Sequence, residues 1–215
     1  MKISDISCRV FVLSEIQENC YVVSGKDRDD CVVVDPGIDP AEVVDAIQQE
    51  ERNLSAILVT HGHYDHISGI PAFKATWQDS KIYIGEKDRS KLNDPLANLS
   101  FGFGTPFKTS ERAFGVYDGD VIDSAGFTFK VIEIPGHSCG HIVYLLETEE
   151  RPVLFCGDVI FANGIGRTDF QDGDFATLRR NIREKIFTLP DETLLCSGHG
   201  PLTTVATEKR NGLVR

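Results

Sequence analysis

No stretch of the 215-residue sequence approaches the roughly 18 consecutive apolar residues of a membrane span. The N-terminal segment MKISDISCRVFVLSEIQENC breaks its apolar character every second or third residue, so it lacks a signal-peptide core. Basic residues are scarce. The 22 Lys and Arg face 33 Asp and Glu, and this net charge of −11 argues against the broad phosphate-binding surface of a nucleic-acid binder. Repeats, low-complexity tracts and Pro- or Ser-rich linkers are missing too, so the reading is one domain over residues 1–215. The six cysteines include no C-x-x-C pair, and most sit in apolar runs such as CVVVD and VLFCG. They read as reduced, small core hydrophobes, with Cys139 as the exception, in a protein of the cytoplasm.

What remains is a core-forming composition, 41% hydrophobic and 26% charged. Apolar runs and alternation predict strands over 7–13, 20–24, 31–35, 56–60, 81–85, 127–134, 142–146, 153–155 and 193–196. Pro40 opens a helix through AEVVDAIQQEE, with Ala41, Val44 and Ile47 along one side, and 174–187 and 204–210 read as further helices. Residues 93–110, rich in Gly, Asn and Phe, read as a long loop of the kind that carries function. Elements mixed in this order predict a layered α/β architecture.

The histidines carry the chemistry. All six lie in short Gly-containing motifs directly after apolar strands: His61-Gly62-His63-Tyr64-Asp65-His66, His137-Ser138-Cys139-Gly140-His141, and His199. A further apolar run, VLFCG, ends on Asp158 in the same way. Scattered structural histidines would also fall in helices and on surfaces, whereas these cluster at strand ends, where α/β folds build sites. Neutral imidazole with carboxylate suits zinc, iron or manganese, and a purely structural zinc site would recruit Cys pairs that these motifs do not offer. The ligand count predicts two ions. His61, His63 and His137 fill one site; Asp65, His66 and His199 fill the other; Asp158 bridges, and His141 is left over.

The motifs THGHYDH, PGHSCGH, GDVIF and SGHG together resemble the metallo-β-lactamase-fold hydrolases, most closely their glyoxalase II-like (hydroxyacylglutathione hydrolase-like) branch. The resemblance implies a single-domain four-layer αββα sandwich, with two divalent metals, zinc first and iron or manganese as alternatives, in a groove at one edge of the two sheets. It gives the same two ligand sets, with Asp158 bridging, and makes His141 a residue that supports the ligands from behind. Secreted β-lactamases of the fold tend to carry Cys at the position of Asp158 and lack the metal-binding His at His66, and RNA-processing members bring an extra RNA-binding part. Both branches are set aside. Full glyoxalase II enzymes continue into a helical domain that contacts glutathione, whereas here 16 residues follow His199, making this the short form.

The implied activity is hydrolysis of a small hydroxyacyl thioester by a hydroxide shared between the metals, with Asp65 and Asp158 orienting it, and with neither nucleic acid nor membrane as partner. The oligomeric state is left open. A thiolate leaves without a proton donor, since a free thiol has a pKa of about 8.5. Arg167 falls near the position where the family places a basic residue for the thiol's carboxylate, and Phe101, Phe103 and Phe107 of the 93–110 loop offer apolar contacts. The rival is an iron persulfide dioxygenase of the same fold, which carries a similar stretch to Gly166–Gln171 (GRTDFQ) and holds one iron through residues matching His61, His137 and Asp158.

Overall fold

The computed structural model describes residues 5–212 and Val214. A first sheet is built from β1 (Ile6–Leu13), β2 (Glu18–Gly25), β3 (Asp30–Val34), β4 (Asn53–Val59), β5 (Lys81–Gly85) and β6 (Ala113–Val116), side by side in that order. A second contains β7 (Val121–Ser124), β8 (Phe127–Glu133), β9 (Ile142–Leu146), β10 (Val153–Gly157), β13 (Leu194–Ser197) and β14 (Thr203–Thr204), in the order β14-β13-β10-β9-β8-β7. A small hairpin, β11 (Ile160–Phe161) and β12 (Gly164–Ile165), follows β10. Helices α1 (Ala41–Gln49), α2 (Tyr64–Ile67) and α3 (Ile70–Thr76) belong to the first half of the chain, α4 (Phe175–Asn181) and α5 (Val205–Asn211) to the second.

Strand alternation separates three apolar layers, and those layers define the four-layer sandwich. Cys31 and Val33 of β3 face a cluster with Val43 and Ile47 of α1 and Ile70 and Phe73 of α3, outside the first sheet. Val32 and Val34 point the other way, into an inter-sheet core with Tyr144, Phe129 and Phe155. Val143, Leu154 and Leu195 leave the far face of the second sheet to meet Leu178, Ile182, Ile186 and Val205. Central strands covered on both faces therefore read as continuous apolar runs. In α1 the buried pair is Val43 and Ile47, an i,i+4 stripe; Ala41 is exposed, so the helix is rotated from the face the sequence suggests. The expected helix over 174–187 starts at Asp174, whose side chain accepts from the Thr177 N–H, and it continues past α4 as a π turn at Ile182–Ile186. Leu178, Ile182 and Ile186 keep one buried stripe along its length.

Seven of these short elements escape the sequence reading: α2, α3, β6, β7, β14 and both strands of the β11–β12 hairpin. Each is stabilised by its neighbours rather than by its own pattern; β6, AFGV, carries a glycine and is a strand because it pairs with β5. All six cysteines are free, and Cys8 joins Cys139 as exposed, because it lies on β1 at the edge of the first sheet. No helix among the described residues is long and apolar enough to cross a membrane.

Phe129 is fully buried between the sheets, with Phe127 at 6.1 Å and Phe155 at 6.3 Å between ring centroids. Phe129→Ala is expected to lower unfolding stability by about 3–5 kcal/mol in a urea titration, the effect of a large unfilled cavity.

Candidate metal centre

The carboxyl ends of β4, β10 and β13 and the turn between β8 and β9 reach the same edge of the sandwich, and each delivers part of the predicted set. His61 and His63 follow β4, with His63 at the N-terminal cap of α2, which carries Asp65 and His66. A single turn of helix thus presents Asp65 and His66, so one histidine does lie in a helix. His137 and His141 occupy the β8–β9 turn, Asp158 follows β10, and His199 follows β13. Two glycines let the segments approach. A β-carbon on Gly157, which sits at φ 48°, would press on Thr60 and His141, and one on Gly198 would strike Asp158 and His66.

Nitrogens of three imidazoles meet at one point. His61 Nε2 lies 3.0 Å from His63 Nδ1 and 3.2 Å from His137 Nε2, and the latter two are 2.9 Å apart. Donors on a tetrahedral zinc at 2.0–2.1 Å would stand about 3.3 Å apart, so the triangle is close to one face of such a site. Hydrogen bonds on the far side of the rings set the tautomers of two of them. His137 Nδ1–H donates to the Arg167 carbonyl at 2.8 Å. His61 Nδ1–H donates to Thr60 Oγ1 at 3.1 Å, since the Thr60 hydroxyl itself donates to Asp35. Both Nε2 atoms therefore turn lone pairs toward each other and toward His63 Nδ1, and a cation at the centre would satisfy them. Burial and the neighbouring histidines keep His61 well below the ordinary histidine pKa, and burial with His137 brings His63 down to about 3. Neutral imidazoles are the form that binds metal.

A second group adjoins the first. His199 Nε2 lies 3.3 Å from Asp65 Oδ2, and His66 Nε2 lies 3.7 Å from the same oxygen and 3.4 Å from Asp158 Oδ1. His66 Nδ1–H donates to Asp35 at 3.0 Å and His199 Nδ1–H to the Gln17 carbonyl at 3.3 Å, so both again face inward with Nε2. His66 Nε2 and Asp158 Oδ1 are buried and have no hydrogen-bond partner. Burial alone would lower the His66 pKa, but Asp65, Asp158 and Asp35 outweigh it and raise it well above the usual value. A field that strong for a proton is equally strong for a metal cation. Asp158 Oδ2 stands 3.6 Å from His137 Nε2 and 3.7 Å from His199 Nε2, between the two groups. Against the penalty of burial, His66, His137 and His199 hold its carboxyl far below the ordinary carboxylate range.

His141 does not join either group. Its Nε2 accepts the Asp158 backbone N–H at 3.1 Å, and its ring stacks on His61 at 4.6 Å. Arg167 lies at the groove beside the cluster, but its exposed guanidinium is held by both oxygens of Asp169 at 2.7 Å.

The sequence reading missed the residues that hold the ligands from behind. Asp35, at φ 49° in the turn after β3, accepts from the Thr60 N–H and hydroxyl at 2.8 Å each as well as from His66. The only sign of it in the sequence was the run VVVDPG, which reads as a strand and its stop. Asp88 is fully buried and accepts from the backbone of Gly62 at 2.8 Å and Gly140 at 2.9 Å and from the Ser138 hydroxyl at 2.7 Å. Lys91, also buried, lies 3.2 Å from Asp88 and donates to Asp172 at 2.7 Å. These contacts tie together the HGHYDH, PGHSCGH and GRTDFQ segments.

His137→Ala and His141→Ala are expected to separate in a metal analysis. The first removes a donor from the triangle and should lose metal outright; the second frees the Asp158 backbone and should weaken binding by about 10–100-fold. Equal losses would show that the two histidines of PGHSCGH do the same work.

Residues 13–199 match the metallo-beta-lactamase superfamily. Over 209 residues, 96% of each chain, the sequence is 33% identical to the hydroxyacylglutathione hydrolase GloC of Haemophilus influenzae. Among solved structures it is similar to the BLEG-1 B3 metallo-beta-lactamase, with a TM-score of 0.89 and 37% identity over 95% of this chain and 97% of that one. It is also similar to ETHE1 from Myxococcus xanthus, with a TM-score of 0.78 and 27% identity over 96% of this chain and 83% of that one. A clustered histidine–aspartate site at the edge of an αββα sandwich and matches of this extent agree: the chain belongs to the metallo-beta-lactamase superfamily.

Proposed function

We propose that this protein hydrolyses hydroxyacyl thioesters with two divalent cations, zinc by the character of the donors. His61, His63 and His137 would hold one, Asp65, His66 and His199 the other, with Asp158 between them. The observation that carries this reading is the position of Asp158, whose one oxygen is shared at 3.6–3.7 Å between a histidine of each group. Cations bound there supply a water acidic enough to attack near neutral pH and an electrophile for the carbonyl oxygen.

The chain's own residues account for the rest. The described lining of the groove contains no Ser, Thr, Cys, Lys or Tyr, so no side chain there serves as a covalent nucleophile of the usual kind. Water is therefore the attacking group, and Asp65 and Asp158, both held ionised by the adjacent histidines, accept its hydrogen bonds and aim it. The same lining offers no ready proton donor for a leaving alkoxide or amine. A thiolate, with a conjugate acid near pKa 8.5, departs without one, and this favours thioesters over esters and amides. The name of the Haemophilus relative supports the same acyl–thiol chemistry.

The purified protein is expected to contain close to two divalent metals per chain and to hydrolyse lactoyl thioesters until it is chelated. Elemental analysis beside a thiol-release assay checks both. A single tightly held iron with persulfide-dependent oxygen uptake would replace this reading with a dioxygenase, and faster hydrolysis of a chromogenic cephalosporin than of any thioester would replace it with a β-lactamase.

Arg167 is proposed to meet a carboxylate of the substrate at the rim. Because the guanidinium is exposed and already paired with Asp169, the contact is worth no more than about 1 kcal/mol. Arg167→Ala should accordingly raise KM for a carboxylated thioester by less than about fivefold, leave kcat unchanged, and have no effect on a thioester without carboxylates.

A further inference from the structure

The groove beside the histidine–aspartate cluster has a volume of about 840 Å³, and beyond the cluster its lining is apolar except for Arg167. Leu96, Phe101 and Phe103 come from the 93–110 loop, Ile16 from the β1–β2 turn and Phe161 from the β11–β12 hairpin. The three loop residues are 69%, 61% and 59% exposed, so folding does not account for their apolar character. The loop is fastened by other means. Buried Asn98 donates through Nδ2 to the carbonyls of Lys91 at 2.9 Å and Phe107 at 3.0 Å, and the Tyr64 N–H donates to its backbone carbonyl at 2.9 Å. Phe107 is the loop aromatic that packs on the core. Phe103 also rests one edge on the Tyr64 ring at 6.2 Å, but it, Phe101 and Leu96 leave most of their surface uncovered, and an exposed apolar cluster of this kind marks a binding surface.

Two further observations point the same way. Leu99, also in the lining, holds φ at 70°, a left-handed conformation unfavourable for a residue with a β-carbon, and such strain gathers at ligand clamps. Among the described lining residues the one permanent cation is Arg167, which is already matched by Asp169 and lies over the Phe170 ring at 4.5 Å. A carrier recognised through two carboxylates, as glutathione would be, finds no second cation in this lining.

Resting on the thioester-hydrolase reading, we propose that the substrate carries an extended apolar substituent, on its thiol or its acyl group, and that Leu96, Phe101 and Phe103 bind it. Affinity is then set chiefly by apolar surface, and a carboxylate of the carrier adds only the small contribution of Arg167.

Thioethers, which have no scissile carbonyl, test this by calorimetry on the metal-containing protein. S-methyl to S-octyl derivatives are titrated in two series, one on glutathione and one on N-acetylcysteamine, which is neutral. Kd is expected to fall about two- to fourfold per added methylene in both series, and the double variant Phe101→Ser, Phe103→Ser to lose more than half of that slope. A flat series, an unchanged slope in the variant, or binding by the glutathione series alone would overturn the proposal. Two thioester series, one lengthened on the acyl group (2-hydroxyacyl thioesters of N-acetylcysteamine) and one on the thiol (lactoyl thioesters of n-alkanethiols), identify the end that lies on the loop by which of them gains kcat/KM with length. Chain-length-dependent binding without turnover of any thioester would sink the hydrolase reading and leave the apolar site standing. Turnover of lactoyl thioesters with flat binding would do the reverse.

Discussion

Four imidazoles, those of His61, His66, His137 and His199, each give one ring N–H to an acceptor behind them and turn the other nitrogen, as a lone pair, into a centre that also holds Asp65 and Asp158. Six electron-rich groups packed this closely repel one another, and a buried edge gives water little room to screen them. The aspartates soften this in the second group by raising His66 and His199 above the ordinary imidazole range, whereas His61, His63 and His137 stay below it. The arrangement is therefore held against its own electrostatics by the fold, and positive charge is what it is built to receive.

The means of holding it are spread through both sheets. The Asp35 carboxylate grips Thr60 and His66, so the first sheet fixes one histidine of each donor group through a single side chain. Asn19 at the start of β2 donates its backbone N–H to Gly198 at 2.7 Å and its side chain to the carbonyls of Ser197 and Gly200, lacing the His199 turn to the first sheet. Asp88 and Lys91 do the corresponding work where His61, His63 and His137 meet. Lys91 is a buried cation whose pKa, despite burial, is raised by Asp88 and Asp172, so it stays charged where it ties them together. Removing one partner from such a set leaves an uncompensated buried charge, which is far more damaging than losing an exposed pair.

This division explains what the sequence revealed. Ligands were legible because chemistry forces them into short local strings: four donors fall within the six residues His61–His66. Strands covered on both faces were legible as unbroken apolar runs. The supporting residues were not, because an Asp in a turn has many uses and only a long-range contact gives it this one. Asp35 and His66 are 31 positions apart, and Asp88 and Ser138 are 50 apart. The face of α1 was misjudged for a related reason. Ala41, Val44 and Ile47 form a plausible stripe on paper, and packing against α3 selected Val43 with Ile47 instead. Arg167 is legible by its position in GRTDFQ, and the Asp169 carboxylate two residues on takes up much of its charge.

The contrast between the cluster and its groove bears on how the enzyme would divide its labour. Binding energy gained on apolar walls is the same for substrate and transition state as long as the substituent does not move, so such walls hold the molecule without accelerating its reaction. Acceleration has to come from the charged end, where the carbonyl oxygen gains negative charge and the surrounding donors are already oriented. A substituent seated on those walls would displace water and strengthen that effect by lowering the local dielectric. On the proposed reading the histidines and aspartates of the lining are taken up by the cations, so selectivity for the bond cleaved would rest on the leaving group and selectivity for the molecule on the loop. Changes in the 93–110 loop can therefore retarget the protein without disturbing the histidine–aspartate centre. Changes in Asp35, Asp88 or Lys91, none of which lines the groove, would disturb the centre itself.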